Sequence, residues 1–293
     1  MKKLLFIINP MAGRQQAQTD LYKMVKIFAD HDYEVTVYPT RARLDCTRKV
    51  LEDAGRFDLV VCCGGDGTLN EMVSGMMQRQ DRRPMGYIPL GSTNDLAVSL
   101  RLPTRVEEAA LRAVTGNEFH MDVGTLNDRY FNYIAAFGAF TETSYATPQE
   151  IKNALGHLAY ILEGVKSLGK ILPIHVKITA DDEQFEEDYL FGAVTNTISL
   201  GGVLKLDPEK VLLDDGMYEL LLVKNPTNAL EAQAMLTAIM TQNFDGPLVK
   251  MFHVSDITFE SSHEISWTID GEYGGTFSHT HILNNKNAVT LIV

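Results

Sequence analysis

The first half of the chain alternates short apolar runs with amphipathic stretches. Leu4–Ile8, Asp58–Cys63 and Met85–Leu90 are nearly continuous apolar runs. Strands of a parallel sheet, buried on both faces, read this way. Glu34–Tyr38 alternates instead and predicts a further strand. Between them, Leu21, Met24, Val25 and Phe28 fall at i, i+3, i+4 and i+7, the spacing of one helix face. Further helices are expected near 45–54 and from a glycine-rich loop to about 78. Strands alternating with helices imply right-handed crossovers and a parallel sheet. After residue 123 the texture changes, and strands are expected at 129–138, 174–179, 187–197, 217–223, 251–260, 265–270 and 288–293. Asn127-Asp128 and Asp181-Asp182 read as hairpin turns. Two helices interrupt the strands, at 148–168 and 227–241. The first has Thr147 as N-cap, Pro148 as first residue, Glu150 as capping-box partner, and an apolar stripe of Ile151, Leu155, Leu158, Leu162 and Val165.

This pattern predicts an α/β N-terminal domain, residues 1–123, followed by a mainly-β domain, residues 124–293. The last strand, about 286–293, is a candidate to return to the first domain. The chain length of 293 residues suits about two domains. Apolar residues at 45% and charged residues at 22% are ordinary globular usage, which excludes a disordered chain or a disulfide-stapled miniprotein. Charge sharpens the division. Residues 1–123 carry 16 basic and 16 acidic residues, whereas residues 124–293 carry 10 and 22, so the whole net charge of −12 lies in the second half. A uniformly basic nucleic-acid binder is excluded as the expected class. Only Cys46, Cys62 and Cys63 occur, so no disulfide framework or CxxC site can be built, and a reducing cytoplasm is the simplest compartment. The apolar start of the chain breaks at Asn9-Pro10, too early for a signal peptide or a membrane span. The expectation is a cytoplasmic protein able to touch a membrane peripherally.

Three glycine-containing loops follow three of the expected parallel strands: 9–13, 64–68 and 91–95. Open α/β sheets bind ligands at the carboxyl ends of their strands, where such loops converge. Glycine lets main-chain N–H groups approach an anion, and a following helix adds its positive end. None of the three is a Walker loop or a GxGxxG turn. Asp66 sits in the middle of Gly64-Gly65-Asp66-Gly67-Thr68, where a pure phosphate cradle would avoid an acid. It reads equally as a holder of metal-bound water over phosphates or as an Asx-turn before a helix.

Asn9-Pro10-Met11-Ala12-Gly13, Gly64-Gly65-Asp66-Gly67-Thr68-Leu69-Asn70-Glu71 and Pro89-Leu90-Gly91-Ser92-Thr93-Asn94-Asp95 together resemble the diacylglycerol kinase catalytic-domain family, in particular its soluble bacterial lipid kinases. The resemblance runs nearly the whole chain and includes Gly156-His157-Leu158-Ala159-Tyr160, Asp215-Gly216 and Asp270-Gly271-Glu272 in family order. It implies a Rossmann-like α/β domain of the NAD kinase and diacylglycerol kinase type, a C-terminal β-sandwich, and ATP bound between them. By motif, nucleotide contacts would come from Asn9, Pro10, Met11, Ala12, Gly13, Thr40, Gly65, Asp66, Gly67, Thr68, Leu69, Asn70, Glu71 and Thr93. The implied activity is transfer of the γ-phosphate of ATP to a lipid alcohol, diacylglycerol by default, with Mg²⁺. The membrane lipid would be met from the inner face, and a homodimer is an open possibility.

The acids of the second half acquire roles only through this resemblance. Asp215, with the main-chain carbonyls of Leu212 and Met217, would hold a structural Mg²⁺, and oxygen-only ligation suits that ion. Glu272 would be the general base on the lipid hydroxyl, and Asp122 would belong to the network linking metal and base. From the residues alone, Asp214-Asp215-Gly216 and Asp270-Gly271-Glu272 read as turns bearing solvated acids. His279 and His281 share a strand face but lack an evident third ligand. Arg14, Arg41, Arg43, Arg48, Lys49, Arg79, Arg82 and Arg83 form a basic surface, read as solvated or as attracted to anionic lipid. Leu200 stands where the family usually shows glycine. Two other readings are set against lipid phosphorylation. One is an NAD kinase, which also carries Gly-Gly-Asp-Gly but places its Asn-Glu pair well downstream. The other is a silent lipid- or nucleotide-binding regulator, which would have lost Asp66 or Glu272.

Overall fold

The computed structural model describes residues 1–138, 172–200, 204–206 and 211–293. The chain divides into two compact units, Met1–Val123 with Asn285–Val293, and Gly124–Asn284.

In the first unit the apolar runs are the strands β1 (Lys2–Ile8), β3 (Leu59–Gly64) and β4 (Met85–Pro89), with β2 (Tyr33–Pro39) at one edge. All pair in parallel, and β1 has β2 on one side and β3 on the other. The far edge beyond β4 is closed by Leu291, which pairs in parallel with Met85. Chain order therefore reverses direction between β1 and β3, the switch point where open sheets of this kind bind ligands.

Alternate residues of β1 serve opposite faces. Leu4, Phe6 and Ile8 pack with Met24 and Phe28 of α2 (Leu21–Asp30) and with Ala109, Ala110 and Ala113 of α6 (Val106–Thr115). Phe6 meets Phe28 edge-on at 5.2 Å between centroids. The other face is covered by α3 (Asp45–Asp53) and α4 (Asp66–Met77), whose Val50, Met72, Val73 and Met76 are buried. A short α1 (Gln16–Thr19) and α5 (Asp95–Ser99) follow the first and third glycine loops, and β5 (Glu118–Leu126) begins in this unit.

The second unit is antiparallel. It contains β6 (Arg129–Phe131), β7 (Ile134–Gly138), β8 (Ile174–Ala180), β9 (Glu183–Thr195), the two-residue strands β10 (Ser199–Leu200) and β11 (Leu204–Lys205), β12 (Tyr218–Lys224), the helix α7 (Ala229–Thr241), β13 (Val249–Val254) and β14 (Asp256–Ile269). The start of β15 (Glu272–Ile292) belongs here as well, and its last residues belong to the first unit. β9 and β14 each pair with β7 along one stretch and with β8 along another, so these two long strands carry both layers of a sandwich. Between the layers Trp267 packs edge-on against Phe137 and Phe259 at 5.0 and 4.9 Å. The expected helix at 148–168 and the Gly156–Tyr160 motif lie outside the described residues, as do Gly201 and Gly202.

Three hairpin turns of this unit share a device. Asn127, Asp181 and Asp270 adopt φ of 51°, 47° and 47°, the left-handed region that Asn and Asp tolerate. Each turns its side chain onto distant main-chain amides. Asn127 Oδ1 accepts from His281 N, and Asp181 accepts from Ser255 N and Asp256 N. Asp270 accepts from Asn132, Tyr133 and Ile134. The stretches 129–138 and 251–260, each expected as one strand, are in fact broken at 132–133 and at Ser255. The aspartates have taken the amides that a continuous ladder would use.

Candidate functional site

At the β1/β3 switch point the first loop leaves β1 and the second leaves β3. Asn9 joins them: its amide donates to Cys63 O at 2.9 Å, and its side-chain Nδ2 donates to Thr68 Oγ1 at 3.4 Å. Asn9 Oδ1 also accepts from Met11 N at 3.0 Å, which tightens the first loop into an Asx-turn. Gly13 completes that loop at φ 60°, and Met11 is largely exposed. Thr40 follows β2 at the same carboxyl end of the sheet, where its N–H donates to Ile8 O at 2.9 Å.

The third loop is locked to the second. Asp66 Oδ2 accepts from Asn94 N at 2.9 Å, with Asn94 itself at φ 53°. Asn94 Oδ1 accepts from Gly91 N at 2.8 Å, and Asn94 Nδ2 donates to Gly91 O at 3.0 Å. Behind them the buried Tyr87 hydroxyl reaches Gly64 O and Asn94 Oδ1, both at 3.3 Å. Burial holds that phenol protonated well above its usual range, and the Asp66 charge adds to the effect. Gly65 and Gly91 are in backbone contact, so a Cβ on Gly91 would stand 2.8 Å from Gly65 Cα. This close approach excludes a side chain at Gly91 and crowds one at Gly65, where a Cβ would stand 3.2 Å from Gly91 Cα. It leaves Gly65, Asp66 and Gly67 half-buried at the N-terminus of α4, with Thr93 exposed beside them.

The unit thus brings together Asn9–Gly13, Thr40, Gly65–Leu69 and Thr93 at the carboxyl ends of the parallel strands. Glu71 has a different setting. Its Oε1 accepts from Leu44 N at 2.7 Å and its Oε2 from Cys46 N at 3.1 Å, so the carboxylate caps α3. Asn70 lies one turn into α4, where its Oδ1 accepts from Ser74 Oγ at 3.4 Å. Sequence reasoning singled out Thr93 in the third loop but gave no role to Asn94 or Tyr87. The Asn within Gly-Ser-Thr-Asn-Asp was the available signal for the first; nothing local marks the second. All three cysteines are buried, and burial pushes the Cys63 thiol up to about 12, so none is poised as a nucleophile.

Asp122, fully buried, also belongs to this unit, and its Oδ1 accepts from Asn287 N at 2.7 Å. The remaining acids lie in the second unit. At the β14–β15 hairpin, Asp270 is 6% exposed and takes the three amides at 2.7, 3.0 and 3.2 Å, while Glu272 is exposed at the start of β15. The expectation of two solvated acids on this turn therefore holds only for Glu272. Asp270 anchors the turn that presents it.

At the other corner, Asp215 Oδ1 accepts from Met217 N at 2.9 Å. His253 Nε2 lies 3.5 Å from Asp215 and 3.3 Å from Glu219. Glu219 is 3% exposed, and burial, followed by the charge of Asp215, pushes its carboxyl up to about 8. Its Oε2 has no hydrogen-bond partner. This corner therefore sets two carboxyl groups beside one imidazole. Leu212 is half exposed, and Met217 O accepts from Asn284 Nδ2 at 3.2 Å. Among the described residues no group of three His, Cys, Asp or Glu side chains is arranged to hold a metal. His281 instead pairs with Asp256 at 2.8 Å.

Three glycine loops meet at the switch point of a parallel α/β unit, and the same chain carries an antiparallel sandwich, so the chain is of the two-unit α/β plus β-sandwich class. The family model described as the diacylglycerol kinase catalytic domain matches residues 3–126, and that of the YegS C-terminal NAD kinase beta sandwich-like domain matches residues 140–292. The diacylglycerol kinase of Bacillus subtilis (strain 168) is 32% identical over 98% of this chain and 97% of its own length. That of Staphylococcus carnosus (strain TM300) is 31% identical over 98% and 94%. The crystal structure of a diacylglycerol kinase from Bacillus anthracis str. Sterne superposes with a TM-score of 0.78 at 24% identity, covering 99% of this chain and 96% of that one. The chain belongs to the diacylglycerol kinase catalytic-domain family. Both the family resemblance and the fold class read from the sequence are borne out, and membership makes the chain a phosphotransferase with an alcohol group as acceptor. Among the described residues no helix is long and apolar enough to cross a membrane.

Proposed function

We propose that this protein transfers the γ-phosphate of ATP to the free hydroxyl of diacylglycerol, giving phosphatidic acid. It works as a cytoplasmic protein that meets the inner face of a membrane peripherally. The observation that carries this reading is the meeting of three glycine loops at the β1/β3 switch point, in a chain about a third identical along its length to diacylglycerol kinases.

Main-chain N–H groups of the loops at 9–13, 65–68 and 91–94 hold phosphate oxygens, and the N-terminal end of α4 adds its positive dipole. The roles of Asn9 and Asp66 are then to keep the loops in register, as their hydrogen bonds to Cys63, Thr68 and Asn94 suggest. The lipid oxygen forms its bond to the γ-phosphorus while the bond to the bridging oxygen breaks, and ADP leaves with that electron pair. The hydroxyl proton passes to the Glu272 carboxylate. Such a transfer has a loose transition state, so alignment and charge neutralisation outweigh base strength.

A divalent cation such as Mg²⁺, when bound, supplies part of that neutralisation. A structural Mg²⁺ is a separate matter: Asp215 with the carbonyls of Leu212 and Met217 offers the oxygen-only donor set that a hard cation prefers. The unpartnered oxygen and raised carboxyl of Glu219 beside it support a cation at this corner. Asp122, held by Asn287, has a supporting place in the network.

The test is incubation with labelled ATP, Mg²⁺ and a panel of lipid alcohols in mixed micelles, with NAD included. Label should enter diacylglycerol, and Glu272→Gln should lower kcat by about 10²–10⁴ with the KM for ATP kept. Preferential labelling of NAD or of another alcohol overturns the substrate. An undiminished Glu272→Gln rate overturns the base.

A further inference from the structure

The loop after Thr40 combines exposed arginines, an exposed leucine and a left-handed backbone. Arg41, Ala42, Arg43 and Leu44 are all exposed, and the chain then dives to the buried Asp45 and Cys46. Leu44 keeps 61% of its surface in water. Its backbone also lies at φ 64°, ψ 5°, a conformation that suits Gly, Asn or Asp and that leucine avoids. The neighbours impose it. Glu71 accepts from Leu44 N at 2.7 Å and from Cys46 N at 3.1 Å, while Leu44 O accepts from Arg48 N at 3.0 Å. An apolar side chain that is both exposed and held in a strained backbone gains nothing within the isolated protein. A glycine or asparagine would serve the turn better.

The surrounding charge indicates what Leu44 faces. Arg41 lies over the Tyr38 ring at 5.9 Å, and Arg43 flanks Leu44 directly. The acid beneath, Asp45, is buried and engaged by Arg48 at 2.6 Å and by the Tyr38 hydroxyl at 3.0 Å. Arg48 also pairs with Glu52 at 2.9 Å. Two exposed arginines, one of them with its Nη2 3.5 Å from the Tyr38 hydroxyl, border a single aliphatic tip. That pairing suits the boundary of an anionic bilayer, with cations at the headgroups and an alkyl group below them. A stable protein partner would need a larger patch. The loop also leaves the carboxyl end of the sheet, as the three glycine loops do, because Thr40 N is bonded to Ile8 O immediately before Asn9.

We propose that Arg41, Arg43 and Leu44 form the surface by which this protein docks on an anionic bilayer. Leu44 enters the acyl boundary, and the arginines meet the headgroups. The proposal rests on reading the substrate as a membrane lipid.

The experiment uses the full chain, Leu44→Asn, and the double variant Arg41→Gln/Arg43→Gln. Each is sedimented with vesicles of phosphatidylcholine alone or mixed with phosphatidylglycerol. Each is also assayed on diacylglycerol in those vesicles and on a water-soluble short-chain diacylglycerol. Leu44→Asn should lower vesicle partitioning about tenfold, and each lost arginine about fivefold on the anionic vesicles alone. Rates on the short-chain acceptor should match wild type, and the melting temperature of Leu44→Asn should not fall, since asparagine accepts the left-handed backbone.

Variants that bind vesicles as wild type does overturn the proposal. So does a Leu44→Asn variant whose melting temperature drops, which makes Leu44 a structural residue. A raised KM for ATP on the short-chain acceptor in the arginine variant reassigns those side chains to the nucleotide. Wild type that binds vesicles through these residues yet phosphorylates neither diacylglycerol upholds the docking surface and overturns the substrate reading.

Discussion

Replacing Asp270 tests whether a buried carboxylate holds the hairpin that carries Glu272. Its Oδ2 accepts from Asn132 N at 2.7 Å, and its Oδ1 accepts from Tyr133 N at 3.0 Å and Ile134 N at 3.2 Å. Asparagine is nearly isosteric. Whichever way it turns, though, it sets an NH₂ group against at least one main-chain donor. One hydrogen bond to a charged group is lost, at about 1.5–3 kcal/mol, and a donor–donor repulsion is added. Asp270→Asn should therefore cost about 2–4 kcal/mol. Asp270→Ala strands two buried amides and a partly buried one, at about 1–3 kcal/mol each, but relaxation and shared partners keep the losses from adding in full. A total of about 4 kcal/mol is expected for that variant.

Urea unfolding followed by the fluorescence of Trp267 is the assay. It is the sole tryptophan, fully buried two residues from the end of β14, so its signal reports on this unit. Asp270→Asn should also lower kcat under conditions where the protein stays folded, because the turn that presents Glu272 loses its anchor. A stability loss below about 1 kcal/mol for Asp270→Asn would refute the view that this carboxylate holds the turn.

Two further predictions concern the loops and the acidic corner. Gly91→Ala places a methyl 2.8 Å from Gly65 Cα and 2.6 Å from Asn94 Oδ1, so it should raise the KM for ATP at least about tenfold. Gly246→Ala, whose added carbon meets nothing nearer than 3.9 Å, should leave it unchanged; equal KM values for both variants would contradict the close-packed cradle. Glu219 titrates near 8 in the fold against an ordinary 4.5. Between those values the native state holds a proton that the unfolded state has released, so stability should fall as pH rises through this window in chelator. Glu219→Gln should flatten the fall, and Mg²⁺ should reduce it in wild type. A wild-type curve that rises instead would show that the carboxyl is not raised.

Much of the first unit was legible because its strands are buried on both faces and leave uninterrupted apolar runs. The loops were legible because glycine is the residue that close backbone approach demands. In the second unit the turns at Asn127-Asp128 and Asp181-Asp182 could be read from their own dipeptides. What they do at a distance could not. Asp181 breaks a strand 74 residues away, and Asp270 breaks one 137 residues away, by taking its amides. Nothing local at Ser255 or Tyr133 announces it. The same limit hid Glu71. Its place in a motif suggested the nucleotide, whereas its two oxygens are engaged by amides 27 and 25 residues earlier. Tyr87 looked like an ordinary core residue of an apolar strand, and only the fold brings its hydroxyl beneath the second and third loops.

The edge of the parallel sheet is completed by residues 285–293, through Leu291 beside Met85, the paired amides and carbonyls of Asn117 and Val293, and Arg82 Nη1 on Ala288 O. During synthesis the parallel unit is thus begun before the sandwich and completed after it. While the ribosome adds the sandwich, β4 waits with an unpaired flank, a surface open to strand-swapping or chaperone capture. Completion of this sheet therefore requires that residues 124–284 have already been made.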